Sequence, residues 1–221
     1  MDDFRRINKE KIIYILLLAV IISLFTSFKA MAKNYDFQGQ GTKNNEKIVF
    51  LTFDDGPSEN NTLRILNILN KHNVKASFFV VGNKVDSYPN IVRKLKNSGM
   101  CILSHSYSHN YKTIYKDVDS FFHDLNKCNA TIEKVTGEKT KSYVRLPGGS
   151  DNLVCNGKVL ADIRNKLISN GIDYVDWNVC SGDAMSRTVD ARILKKNVMN
   201  QCSMNDFAVV LMHDGYYKTT T

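Results

Sequence analysis

Apolar and polar residues change period repeatedly along the chain, and the changes predict its elements. Residues 47–53 form a β-branched apolar run that reads as a strand. Residues 61–72 place Leu63, Leu66 and Leu69, with Ile65 and Ile68, at helical spacing. A strand follows at 76–81. Pro89 suits the first turn of a helix that ends before Gly99. A short strand spans 100–103. Residues 117–135 carry Val118, Phe121, Phe122, Leu125, Ile132 and Val135 on one stripe, closed by Gly137. Strands are expected at 142–146, 173–179 and 207–212, with helices at 159–169 and 190–201. Six strands alternating with five helices predict an α/β fold with a parallel sheet and helical crossovers. A rolled barrel and an open doubly wound sheet both satisfy that pattern. No glycine-rich phosphate loop follows the first strand, which argues against a nucleotide-binding sheet.

Before residue 47 the pattern is different. Arg5, Arg6, Lys9 and Lys11 precede an uncharged apolar run at 12–28, at the lower limit for crossing a bilayer. Ala30-Met31-Ala32 fits a small-x-small cleavage site. Residues 1–32 are therefore read as a signal peptide or a membrane anchor with a cytoplasmic N-terminus. Residues 33–46 are polar, with Gly39, Gly41 and Asn44-Asn45, and read as a flexible linker. Either reading puts residues 47–221, the expected folded domain, outside the cytoplasm.

Charge narrows the partners. The formal net charge is +8; five of the 30 basic and three of the 22 acidic residues lie in 1–32, leaving +6 for the rest. A basic extracytoplasmic domain is attracted to an anionic polymer such as a cell wall. No basic stripe with interleaved aromatics appears, so nucleic acid is not an expected partner. A monomer is expected. The five cysteines, Cys101, Cys128, Cys155, Cys180 and Cys202, contain no C-x-x-C pair and are read as scattered buried thiols.

The reactive residues fall at one place on this map. Asp54 and Asp55 end the first expected strand, and His105 and His109 follow the third. Arg145 closes the fourth, Asp183 follows the fifth, and His213 with Asp214 follows the sixth. The C-terminal edge of parallel strands is where α/β active sites sit. Adjacent carboxylates beside a metal can divide labour, one ligating and the other taking a proton from water. His105 and His109, at i and i+4, would face one way on a helical turn and chelate. Asp55, His105 and His109 thus make three ligands for one divalent ion, zinc first, with cobalt, nickel or another transition metal also suited. Arg145 is placed to pair with Asp54, and the Gly148 amide to face an oxyanion. His213 is a general-acid candidate that Asp183 would orient. His72 and His123 lie on expected helices and are read as surface or packing residues.

In order, T-F-D-D-G-P at 52–57, H-S-x-x-H at 105–109, R-x-P-x-G at 145–149, the segment from Trp177 to Asp183, and L-x-H at 211–213 resemble the polysaccharide deacetylase family, the NodB homology domain or carbohydrate esterase family 4. The resemblance implies a distorted (β/α) barrel that removes acetyl groups from N-acetylated glycans. It implies Asp54 as general base, Asp55, His105 and His109 as ligands, and Arg145 as the partner orienting Asp54. His213 would be general acid, Asp183 its tuning residue, and Leu211 and Trp177 walls of the acetyl pocket. An acetylated glycan polymer, peptidoglycan first, is the implied partner. An O-acetyl glycan esterase and an inactive glycan-binding fragment are the rival expectations. Two positions depart from the pattern: Ala184 stands where tryptophan is usual, and Gly148 where an aromatic is common. A third departure is length, because a closing C-terminal helix and strand after the last histidine are expected to be missing.

Overall fold

A computed structural model describes residues 47–186 and 188–215. The apolar run at 12–28, the linker at 33–46 and the last six residues lie outside the described residues. Among the described residues no helix is long and apolar enough to cross a membrane.

Seven strands form one parallel sheet. They are β1 (Ile48–Asp54), β2 (Ser77–Val81), β3 (Cys101–Ser106), β4 (Tyr143–Val144), β5 (Asp173–Tyr174), β6 (Val179–Cys180) and β7 (Phe207–His213), in the order β5-β4-β3-β2-β1-β7-β6. The helices are α1 (Asn61–Lys71), α2 (Gly82–Ser87), α3 (Pro89–Asn97), α4 (Tyr111–Ile114), α5 (Val118–Thr136), α6 (Gly157–Ser169) and α7 (Ala191–Ser203). All five expected helices are present, with α2 and α4 as short additions.

The expected strand at 173–179 is not one strand. It divides into β5, paired with β4, and β6, paired with β7, at opposite edges of the sheet. Residues 175–178 join the two edges. Val175 N–H donates to the Val144 carbonyl at 2.8 Å and Asn178 N–H to the Val209 carbonyl at 3.3 Å. Because four residues span at most about 14 Å, the sheet must curl until its edges nearly meet. The barrel is open and incomplete: among the described residues its edge strands β5 and β6 do not pair, and only residues 175–178 run between them. This is the distorted barrel that the motif order implies.

Alternation along β1 and β2 sorts the two faces. Phe53 and Phe78 stack at 5.1 Å between centroids and join Val80, Leu66, Leu69, Val92, Leu95, Cys128 and Ile132 in the core beneath the helices. Thr52, Asp54 and Phe79 point the other way, into the barrel. A second core gathers Phe121, Leu125, Leu146, Leu160, Ile163 and Leu167 around α5 and α6. Asp117 caps α5 by accepting from Ser120 N–H, and left-handed Gly137 ends it. All five cysteines are free; Cys128 and Cys155 are buried, and the other three only half-buried.

Candidate active site

The β1–β7 register sets Asp54 beside His213 and Thr52 beside Leu211. Every reactive residue predicted at a strand end is found at the C-terminal edge. Asp54 and His213 are the last residues of their strands, Arg145 directly follows β4, and Asp183 lies three residues beyond β6.

Asp55, His105 and His109 converge. Their ligand atoms lie within 4.8 Å of one another. His109 Nε2 stands 3.0 Å and His105 Nε2 3.5 Å from Asp55 Oδ1. A tetrahedral ion with ligand bonds near 2.0–2.2 Å needs donors about 3.4 Å apart, so these residues fit a divalent metal. The histidine pair is not on a helical turn, contrary to the expectation. His105 belongs to β3, and His109 sits in the following loop with φ of 52°. Asp55 also has positive φ, 73°. Among the described residues, two of the three non-glycine residues held in this costly region are therefore metal-ligand candidates.

The surrounding bonds hold that geometry. His105 Nδ1–H donates to the Arg145 carbonyl at 2.7 Å, which leaves Nε2 as the ligand. Asp124, from α5, accepts from Ser106 Oγ, Tyr107 N–H and Ser108 N–H, while Ser106 Oγ accepts from His109 N–H. Lys84 Nζ donates to the Asp55 carbonyl at 2.7 Å. Burial alone would raise the Asp55 carboxyl, but hydrogen bonds and charge from His105 and His109 hold it well below the usual carboxylate range. Burial opposes the charged form of His105; the carboxylates of Asp54 and Asp55 outweigh it and raise its pKa.

Arg145 is fully buried inside the barrel. Its Nη1 donates to Asp54 Oδ1 at 2.9 Å and Thr52 Oγ1 at 2.7 Å; Nε and Nη2 donate to the carbonyls of Val175 and Asp176. Its guanidinium lies 4.2 Å above the Phe79 ring. Asp54 Oδ1 is thereby committed, and Oδ2 faces His105 Nε2 at 4.0 Å. Asp183 grips His213 twice: Oδ1 meets Nδ1 and Oδ2 accepts the backbone N–H, each at 2.7 Å. That grip leaves His213 Nε2 as the free ring nitrogen.

The pocket residues are placed unequally. Leu211 is buried on the barrel-facing side of β7. Half-buried Trp177 touches the turn at Gly149, where an added Cβ would meet its ring at 3.2 Å. Gly148 is exposed with φ of 82°, and its N–H makes no hydrogen bond among the described residues. Two contributors escaped the motif reading. Asp124 left a trace, an acid inside the apolar stripe of α5, and Tyr111 left none. Asp214 was placed at this edge by sequence but given no role. Thr62 Oγ1 donates to the buried Asp214 carboxyl at 2.6 Å, and Ser58 Oγ to its backbone carbonyl at 2.5 Å. Tyr111 lies edge-on to His109, with ring centroids 5.5 Å apart. Burial, with the charges of Asp55 and Asp54, raises its phenol pKa, so it remains a neutral donor.

Residues 41–174 match the family model for polysaccharide deacetylase. The chain belongs to the polysaccharide deacetylase family. The matched span stops before Trp177, Asp183, Leu211 and His213, which the fold brings to the same edge. The chain is 30% identical over 176 residues to a peptidoglycan-N-acetylglucosamine deacetylase of Bacillus cereus, covering 76% of this chain and 60% of that protein. It thus spans about three-fifths of the length of that relative. Among solved structures, the catalytic domain of peptidoglycan N-acetylglucosamine deacetylase from Eubacterium rectale superposes with a TM-score of 0.73 at 36% identity, covering 78% and 79% of the two chains. A Streptococcus mutans CE4 esterase gives 0.67 at 31%, covering 77% and 75%.

Proposed function

We propose that this protein hydrolyses N-acetyl groups of a cell-surface glycan, with peptidoglycan N-acetylglucosamine or N-acetylmuramic acid as the favoured substrate. The observation that carries the reading is Asp54. One oxygen is locked to Arg145 and the other faces the Asp55–His105–His109 cluster, while His213 stands beside it on β7. Asp55, His105 and His109 would hold one divalent ion, zinc by donor chemistry, with cobalt or nickel also suited. Such an ion polarises an acyl carbonyl and makes water more acidic.

The residues of the chain supply the remaining steps. Asp54 Oδ2 takes a proton as water oxygen bonds to the acetyl carbon. The Gly148 N–H donates to the developing oxyanion. The carbon–nitrogen bond then breaks, and His213, oriented by Asp183, gives its proton to the leaving amine. Acetate and a free amino sugar result. Trp177 and Leu211 would line the acetyl pocket. Action outside the cytoplasm, with residues 1–32 as signal peptide or anchor and 47–221 as the catalytic domain, completes the proposal.

Protein loaded with zinc, cobalt or nickel should release acetate from N-acetylated peptidoglycan fragments. Asp54→Asn should lower that rate by about 100-fold or more. Full activity in Asp54→Asn would remove Asp54 from its role. The likeness to the CE4 esterase supports a second reading, hydrolysis of O-acetyl glycan esters by the same groups. Faster turnover of acetylxylan than of peptidoglycan fragments would select it.

A further inference from the structure

Tyr111 is an aromatic side chain beside the ligand cluster that the proposed chemistry leaves without a task. It opens α4, directly after the loop that carries His109, and Asn110 caps that helix by accepting from the N–H groups of Lys112 and Thr113. The position is rigid. The Tyr111 ring meets Tyr115 at 5.9 Å between centroids, and Tyr115 stacks on Phe121 in the α5 core. Tyr115 Oη donates to the Pro147 carbonyl at 2.8 Å, tying α4 to the 147–149 turn. The Tyr111 hydroxyl itself makes no hydrogen bond among the described residues, although the ring is half-buried.

Its location decides what it can do. A Cβ built on Gly148 would lie 3.2 Å from both Cε1 and the hydroxyl oxygen of Tyr111. The tyrosine therefore occupies the space into which a side chain at 148 would project. Its neighbours are a metal-ligand candidate on one side and an unpaired, exposed backbone N–H on the other. A rigid ring with an apolar face and an unspent donor is a common element of polar-ligand sites.

We infer that Tyr111 is a substrate-positioning residue, its ring packing against the sugar beside Gly148 and its hydroxyl donating to an oxygen of the acetylated sugar. This rests on the glycan-deacetylase reading. It assigns the 111 side chain a contact in the bound state, separate from proton transfer by Asp54 and His213. Removing the hydroxyl alone forfeits one hydrogen bond, and removing the ring also removes its apolar contact with the sugar.

The test is binding of an N-acetylglucosamine tetramer to the full chain loaded with zinc, in an Asp54→Asn background so that the probe survives. Tyr111→Phe should weaken the Kd about five-fold and Tyr111→Ala further, with zinc affinity unchanged in both. In the Asp54-intact protein the same changes should appear in KM, with kcat within about two-fold. Equal Kd in all three proteins would overturn the assignment. So would a matching loss of zinc affinity, since Tyr111 would then act through His109. If the tetramer binds as described but the Asp54-intact protein releases no acetate, the hydrolase reading fails and the contact stands. If acetate is released and Tyr111→Phe binds as tightly as its parent, only the contact fails. No binding by any variant overturns the contact, and acetate release from peptidoglycan fragments then decides the hydrolase reading by itself.

Discussion

A single residue, Arg145, ties the barrel to the chemistry. Its guanidinium has four acceptors from two parts of the chain, β1 and the adjoining residues 175 and 176, and the side chain is fully buried. Such a group is planar, forked and always charged, and an ammonium cannot reproduce that reach. Arg145→Met should cost about 3–5 kcal/mol of unfolding free energy, because it strands the buried Asp54 carboxylate. Arg145→Lys should recover less than half of that loss. Urea unfolding monitored by circular dichroism measures both, and a lysine variant as stable as the parent would show that charge alone suffices. Arg145 was legible from sequence as a partner for Asp54. Its bonds to the 175 and 176 carbonyls were not, because nothing in a linear pattern says that those residues cross the barrel.

At the scale of elements, the β1–α1 loop is held by neighbours from distant sequence. Its glycine is there for space. A Cβ on Gly56 would fall 2.2 Å from Asp214 Oδ2. Asp214 in turn accepts from Thr62 on α1, and its N–H donates to the Asp54 carbonyl at 3.0 Å. Its Oδ1 is buried without a partner. Burial pushes this carboxyl up to about 7, against the lowering effect of Thr62, with the Asp55 charge adding to the rise. The folded state therefore binds the proton more tightly than the unfolded chain. Its contribution to stability is fully present below about pH 4 and is lost as pH rises toward 7. Asp214→Asn, which has no proton to lose, should flatten that decline, by no more than about 4 kcal/mol across the window. The comparison is made on metal-free protein by urea unfolding at pH 4.5, 5.5 and 7. Parallel curves for the two proteins would mean that Asp214 does not carry the proton. The T-F-D-D-G-P motif marks this loop in sequence, whereas its clasp is assembled from α1 and the end of β7 and has no local signature.

At the scale of the molecule, the pattern of periods predicted the alternation of strands and helices and the edge at which chemistry collects. It missed the division of residues 173–179. An apolar strand and an extended crossing share the same period, and only pairing partners distinguish them. That crossing is also what brings Trp177 to the turn at Gly149, so the substrate wall was less legible than the ligands. The ligands have a whole-molecule role of their own. Asp55 leaves β1 while His105 and His109 belong to β3 and its loop, with β2 between. An ion held by all three would link non-adjacent strands of the folded state and be released on unfolding. Zinc at 100-fold over its Kd should then add about 2.7 kcal/mol, or roughly 5–10 °C in Tm for a domain of this size. The pH dependence has a definite sign. Asp54 and Asp55 raise the His105 pKa, so in metal-free protein that imidazolium stabilises the fold below about pH 6.5, and the benefit is lost as pH rises through the folded value. A metal competes with the same proton, so the thermal shift should be larger at pH 8 than at pH 5.5. His109→Ala should remove most of it, and a chelator should reverse it. A shift that grows on acidification, or that persists in His109→Ala, would place the ion elsewhere.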